Sequence, residues 1–240
     1  MEPLETLVRR LRLTTQLDAE DVQAIEKLPV HIKTFPSQSA IVMEGDRPAQ
    51  CALIVKGFAC RCKTTETGKR QILSIHIAGD IPDLQSLHLH VMDHDLKTLS
   101  PCTIGVIPHD ALRALTRSRP LVAEALWRET LIDAAVFREW IVNVGRRPAA
   151  ARLAHLISEL RRRLEAIGID TGEHFDLPMT QLDLADALGL TPVHVNRVMK
   201  VLRNDGLMEF RRNVVRLKDA EKLAQVGGFD DLYLHQSPLL

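Results

Sequence analysis

"TQLDLADALGLTPVHVNRVMKVLRNDG" occupies residues 180–206, and its spacing decides the architecture of the C-terminal part. Thr180 and Asp183 resemble a capping box, with Asp in place of the usual Glu. A first helix follows over residues 181–188. Ala185 is small where a second helix must cross closely, Gly189 turns the chain through positive φ, and Leu190 plugs the space between the helices. Thr191 suits an N-cap. Pro192 then stands at the first helical position, where no backbone N–H is missed. Val195, Val198, Met199 and Leu202 recur on one face and predict the inner side. His194, Asn196, Arg197, Lys200 and Arg203 are left towards solvent. Two helices joined by a tight Gly turn make a helix-turn-helix. An ordinary helical hairpin is the plainer alternative, but small, Gly, apolar, cap and basic residues all fall where the DNA-binding unit needs them.

The second helix of such a unit fits the DNA major groove, its first turns towards base edges. Arg197 can donate two bonds to guanine, and Asn196 can pair with adenine. Val193 offers apolar contact to a thymine methyl, and His194 is the fourth candidate base contact. Thr180 and Thr191, near helix N-termini, and Lys200 are candidate phosphate contacts. Next, "GLMEFRRNVVRLKD" reads as strands at residues 207–210 and 214–217 around a tip of Arg211, Arg212 and Asn213. Arg211 and Arg212 complete the expected phosphate set.

Upstream, a long helical run begins near Pro120. Ala123, Trp127, Thr130, Ala134, Phe137, Ile141 and Val144 alternate by four and three, an uncharged coiled-coil seam. Ala135, Leu131 and Val142 form a second apolar strip, so the helix can pack on its own domain and on a second copy. A buried intradomain helix is the alternative. In "VGRRPAA", Gly145 and Pro148 interrupt the run and predict a hinge. "AARLAHLISELRRRLEAIG" reads as the next helix and "IDTGEHFDLP" as loop. Nearer the N-terminus, residues 4–28 predict two short helices, the second opened by Asp18. Between residues 30 and 109 lie short β-branched segments divided by Gly, Pro and Asp, such as "HIKTF", "CALIVKGFACRCKTT" and "TIGVIP". Many short strands at close spacing predict a β-sandwich or roll.

The 240 residues carry formal net charge +0 and are 45% hydrophobic, enough for real cores and too apolar for a disordered chain. Residues 146–218 hold 13 Lys/Arg against 9 Asp/Glu, an excess of four that a polyanion partner fits, although most such runs are only solvated faces. Nothing resembles a signal peptide or a stretch of roughly 20 apolar residues, so a cytoplasmic protein without a membrane partner is expected. Cys51, Cys60, Cys62 and Cys102 include no C-x-x-C pair and read as small hydrophobes in a reducing cell. No Gly-rich phosphate loop, G-x-S-x-G elbow or H-E-x-x-H is present, so no enzyme is expected.

Together these motifs resemble the Crp/Fnr superfamily of bacterial transcription regulators over nearly the whole chain. "EGDRPAQCALIVKGFACRC", with Gly45 and Gly57 at its turns, resembles the β-roll signature. "ILSIHIAGDIPDL" resembles the approach to the phosphate-binding cassette, and "LADALGLTPVHVNRVMKVLRNDGLM" the recognition element. The resemblance implies an α+β fold: an N-terminal β-roll of double-stranded β-helix or jelly-roll type, a long dimerisation helix and a C-terminal winged helix-turn-helix. The expected boundaries are residues 1–118, 119–145 and 146–240. It implies a homodimer on a near-palindromic operator, with double-stranded DNA and RNA polymerase as partners.

Cyclic-AMP-binding relatives hold the ribose with an acid and the cyclic phosphate with an Arg-Ser pair. Asp83 matches the acid, but residues 79–102 contain no arginine, and Met92-Asp93 stand where the pair belongs. Control by cyclic AMP is therefore not expected. Asp83, Gln85, Met92 and Lys97 are the candidate effector pocket for an unknown small molecule. No cysteine precedes Cys51, so an N-terminal cluster like that of the oxygen-sensing branch is excluded. Val193 replaces the Glu that many relatives use to accept from cytosine. Two further readings stay open. One is a metal or haem site on His88, His90 and His94, where the i, i+2 spacing of the first two suits a strand. The other is a small-molecule, metal or haem-sensing module with weak or lost DNA binding.

Overall fold

The computed structural model describes residues 3–236. The chain divides into two compact units. Among the described residues, one comprises 3–63, 74–134 and 235–236, the other 64–73 and 135–234.

The first unit opens with α1 (Pro3–Arg12) and α2 (Ala19–Glu26). Asp18 caps α2 by accepting the Asp21 N–H at 2.7 Å. Strands β1 (His31–Phe35), β2 (Ala40–Val42), β3 (Gln50–Lys56), β4 (Ala59–Thr64), β5 (Arg70–His76), β6 (Asp95–Thr98) and β7 (Cys102–Pro108) form two sheets, β1-β7-β3 and β2-β6-β4-β5. Alternation along β3 sends Cys51 and Leu53 to one face and Ala52 and Ile54 to the other. The first face joins Leu7, Leu11, Ile25, Leu112 and Val122. The second meets Phe35, Ile41, Ala59 and Val106 between the sheets. Gly57, at φ +99°, joins β3 to β4 where an added Cβ would lie 2.5 Å from the Pro101 carbonyl oxygen.

Two elements here were not expected from the sequence. The four residues of β6 carry too short a period to register, and α3 (His109–Ser118) starts without a side-chain cap. His88 and His90 are not on a strand. They follow a 3-10 turn at Leu84–Leu87 in irregular chain.

Helix α4 (Pro120–Arg146) runs through Gly145, so the predicted interruption there is incorrect. Inside a hydrogen-bonded helix a single Gly weakens but does not stop it. The break comes at Arg147-Pro148, and Pro148 stands at the N-cap of α5 (Ala149–Ala166). The second apolar strip is also corrected. Of its three residues Ala135 is buried, whereas Leu131 and Val142 are exposed. The packed face of α4 is instead Val122, Ala125, Leu126, Ile132, Val136 and Trp140. Trp140 donates its indole N–H to the fully buried Glu159 of α5 at 3.0 Å, and the Tyr233 hydroxyl donates to the same carboxylate at 2.7 Å.

The second unit continues with β8 (His174–Asp176), α6 (Gln181–Leu188), α7 (Pro192–Asn204), β9 (Met208–Arg211), β10 (Val214–Leu217) and α8 (Ala220–Gly227). The strands pair in the order β8-β10-β9. The stretch read as loop contains β8. It is too short for a detectable period, but it buries Phe175 between exposed His174 and Asp176.

Candidate nucleic-acid interface

Helix α6 begins at the expected capping box. The Thr180 hydroxyl oxygen accepts the Asp183 N–H at 3.1 Å, and an Asp183 carboxylate oxygen accepts the Thr180 N–H at 2.9 Å. The Thr180 hydroxyl also donates to Asp183 at 2.7 Å, so its proton is held inside the cap. Arg70, from the hairpin segment that groups with this unit, donates to Asp183 at 2.5 Å and to Asp186 at 2.7 Å. Sequence reasoning missed Arg70 because its partners lie more than a hundred residues away.

Gly189 takes φ +63° and closes α6. Thr191 caps α7 by accepting the His194 N–H at 3.2 Å, which leaves its own O–H free to donate. Pro192 fills the first turn. Val195, Val198 and Leu202 are buried, whereas Met199 is half-buried. The opposite face presents Asn196, Arg197, Lys200 and Arg203 to solvent, with His194 half-buried beside them. Val193 is 73% exposed on the same first turn.

The wing tip is a two-residue turn between the paired Arg211 and Val214. Arg212 and Asn213 both have positive φ, 52° and 64°, the backbone of a type I′ hairpin. Arg211 therefore belongs to β9 and only Arg212 and Asn213 form the tip. Both arginines are exposed. Two helix N-termini, a cationic helix face and a cationic wing thus occur within one unit. Such a surface can hold phosphates and present side chains to base edges.

The candidate seam residues of α4 range from half-buried to exposed. Trp127 and Ile141 are 66% and 69% exposed, and Thr130, Ala134, Phe137 and Val144 are half-buried.

In the β-roll the four candidate effector residues do not come together as one site. Asp83 is 1% exposed, and its Oδ1 accepts the Ala52 N–H at 2.8 Å. Burial pushes its carboxyl up to about 6, and the Ala52 N–H offsets only part of that shift. Asp83 lines a cavity between the two sheets, whereas Gln85, Met92 and Lys97 do not. Met92 is buried, Gln85 sits in the 3-10 turn, and Lys97 pairs with Asp95 at 2.7 Å.

A buried ionic network, unforeseen from the sequence, ties this region together. Arg61 of β4 donates to the Pro82 carbonyl at 2.7 Å and pairs with Asp133 of α4. Arg10 pairs with Glu129 at 2.8 Å and with Asp80 at 3.6 Å. His76 bonds Ser74 at 2.8 Å, and burial holds its imidazole below the usual value. The one available signal was "ACRC", a lone arginine at an inward position of an apolar strand. His94 is buried with Nδ1 on Asp93 at 2.7 Å, while His88 and His90 are exposed. Among the described residues, no group of three His, Cys, Asp or Glu is placed to hold a metal ion. All four cysteines are buried, free thiols. Among the same residues no helix is long and apolar enough to cross a membrane.

Known proteins share this layout. The cyclic nucleotide-binding domain profile matches residues 32–119, and the Crp-like helix-turn-helix domain profile matches residues 151–226. The chain is 25% identical over 232 residues to the transcriptional activator protein FnrL of Cereibacter sphaeroides, covering 93% of this chain and 91% of that one. It is 25% identical over 212 residues to the electron transport regulator A of Shewanella oneidensis, covering 88% and 84%. The structure of FixK2 from Bradyrhizobium japonicum superposes with a TM-score of 0.77 at 22% identity, over 85% of this chain and 100% of that one.

Proposed function

The chain belongs to the Crp/Fnr family of transcriptional regulators, and from that premise we propose that it binds a near-palindromic operator as a homodimer, without cyclic AMP. The observation that carries the reading is the outer face of α7. There Val193, Asn196 and Arg197 are exposed on a helix whose first turn is capped and anchored by Thr191 and Pro192. In this reading Arg197 donates to a guanine, Asn196 to and from an adenine, and Val193 packs on a thymine methyl. His194 lies beside them as the fourth base contact. Thr191, Lys200, Arg211 and Arg212 hold phosphates. Thr180 contributes through its place at a helix N-terminus, since its hydroxyl is bonded to Asp183.

The exposed apolar side of α4 supports pairing of two copies through Trp127, Thr130, Ala134, Phe137, Ile141 and Val144. A row of this kind loses free energy in water and regains it against its own symmetry mate. Half-sites are then spaced by about one helical turn of DNA. The absence of arginine from residues 79–102 and the engagement of Arg61 by Pro82 and Asp133 support control by something other than cyclic AMP. Relatives named as transcriptional activators support RNA polymerase as a second partner.

Fluorescence anisotropy of the purified protein on operator DNA tests this at stepped salt concentrations. The expected result is tight binding whose logarithm falls linearly with log salt. A folded dimer that shifts no DNA at low salt would instead favour a sensing module that no longer reads DNA.

A further inference from the structure

The hairpin segment Thr64–Leu73 groups with the second unit, and its Arg70 reaches α6 with a forked guanidinium. Nη2 donates to Asp183 Oδ1 at 2.5 Å, and Nε donates to Asp186 Oδ2 at 2.7 Å. The two acids are three residues apart, so they share one face of α6, where like charges repel. Asp183 is buried and Asp186 half-buried. The second oxygen of Asp183 accepts the N–H and the O–H of Thr180. A carboxylate thus lies directly behind an exposed threonine at the start of the helix. The helix N-terminus favours the charge of Asp183, but Asp186 stands beyond the first turn and gains little from it. Carboxylates that have lost water are costly unless paired. Left unpaired, these two would also repel any polyanion brought to the start of α6.

We propose that Arg70 is a positioning residue for DNA binding: its guanidinium holds the start of α6 in place and screens Asp183 and Asp186 from the DNA backbone. The inference rests on the reading of α6 and α7 as the DNA-reading pair. Arg70 touches neither base nor phosphate in this role. It acts through the cap that sets Thr180. The fork matters, because a planar guanidinium serves two carboxylates at once, whereas an ammonium on a flexible stem is a single point charge. The hairpin is then a working part of the second unit and not only a connection between two strands.

Fluorescence anisotropy of the full chain on a labelled mixed-sequence duplex tests the proposal, beside amide hydrogen exchange without DNA. Arg70→Gln should weaken binding by about tenfold or more at fixed salt. Arg70→Lys, which serves one carboxylate at a time, should fall between Arg70→Gln and wild type. Adding Asp186→Asn to Arg70→Gln should recover about fivefold or more, whereas the same change in the wild-type chain should gain far less. Binding unchanged by Arg70→Gln, or strictly additive effects, would overturn the proposal. Without DNA, the Thr180 and Asp183 amide protons should exchange about tenfold faster or more in Arg70→Gln, while those of Val195 and Val198 keep the wild-type rate. That pattern separates a loosened start of α6 from a misfolded unit, and unchanged exchange at Thr180 and Asp183 would also overturn the proposal. A wild-type chain that binds no duplex at low salt would instead sink the DNA-binding reading, and the exchange result would still decide whether Arg70 holds α6.

Discussion

The outer face of α7 and the interior of the β-roll both carry basic side chains, and they hold them in opposite ways. Arg197, Lys200 and Arg203 stand in solvent. Arg10 and Arg61 are buried and paired with Glu129, Asp80 and Asp133. An exposed charge has not lost its hydration and is available to a polyanion. A buried charge has lost it and is worth keeping only while its partners are present. Removing a charge should therefore cost affinity in the first region and stability in the second.

The largest expected effect concerns neither set but the seam that doubles the first region. Trp127→Glu with Ile141→Glu should leave the single chain folded, because both side chains are exposed in it. It should weaken self-association by about 100-fold or more, read by analytical ultracentrifugation. Next, Asp133→Ala removes the carboxylate that pairs with the buried Arg61 guanidinium. The expected loss is about 2–3 kcal/mol in urea unfolding, below the fully buried case because Asp133 is partly exposed. Unchanged stability would break the contrast at its buried end. Arg197→Ala should shift the melting temperature little. It should cost about 1–3 kcal/mol of discrimination at a single base pair, measured by competition with operator variants.

Asp83 is an intermediate case, a buried acid whose carboxyl is raised by burial despite the opposing pull of the Ala52 N–H and the Arg61 charge. Its folded value lies near 6, above the usual carboxylate range, so the folded protein holds this proton more tightly than the unfolded chain. Its contribution to stability is therefore greatest below the unfolded value and is lost as pH rises through about 6. Asp83→Asn should raise stability by about 2 kcal/mol at pH 7.5 and leave it unchanged near pH 4, in paired denaturation curves. The smallest effect belongs to the wing. Arg211→Ala should weaken binding evenly across sequences and reduce the salt slope by about 1.

The same contrast explains what was legible in the sequence. In the helix-turn-helix, the Thr180–Asp183 box, the Gly189 turn, the Thr191 cap and the Val195–Val198–Leu202 face are bonds and spacings within a few residues of each other. Local chemistry specifies them, and the structure reproduces them. Met199 is the exception in degree, half-buried where a full inner position was expected. In the β-roll the decisive partners are remote in sequence. Arg61 meets Asp133 and Arg10 meets Glu129 across the fold, which no periodicity encodes. Gln85, Met92 and Lys97 are grouped with Asp83 by resemblance to the family's ligand-binding region, yet of these four only Asp83 lines the cavity. Lys33 and Arg47, which also line it, come from β1 and the β2–β3 connection. Strand β8 and Trp140 were missed for a related reason, since each is identified by the packing of one aromatic ring rather than by a pattern.

Selection of bound sequences from random duplex DNA by the purified protein, with no added metabolite, tests the central claim most directly. The account predicts enrichment of an inverted repeat with half-sites about one helical turn apart. Arg197→Ala should lose preference at one symmetric pair of positions. An unenriched pool from a folded protein, or a single half-site bound by one copy, would contradict it.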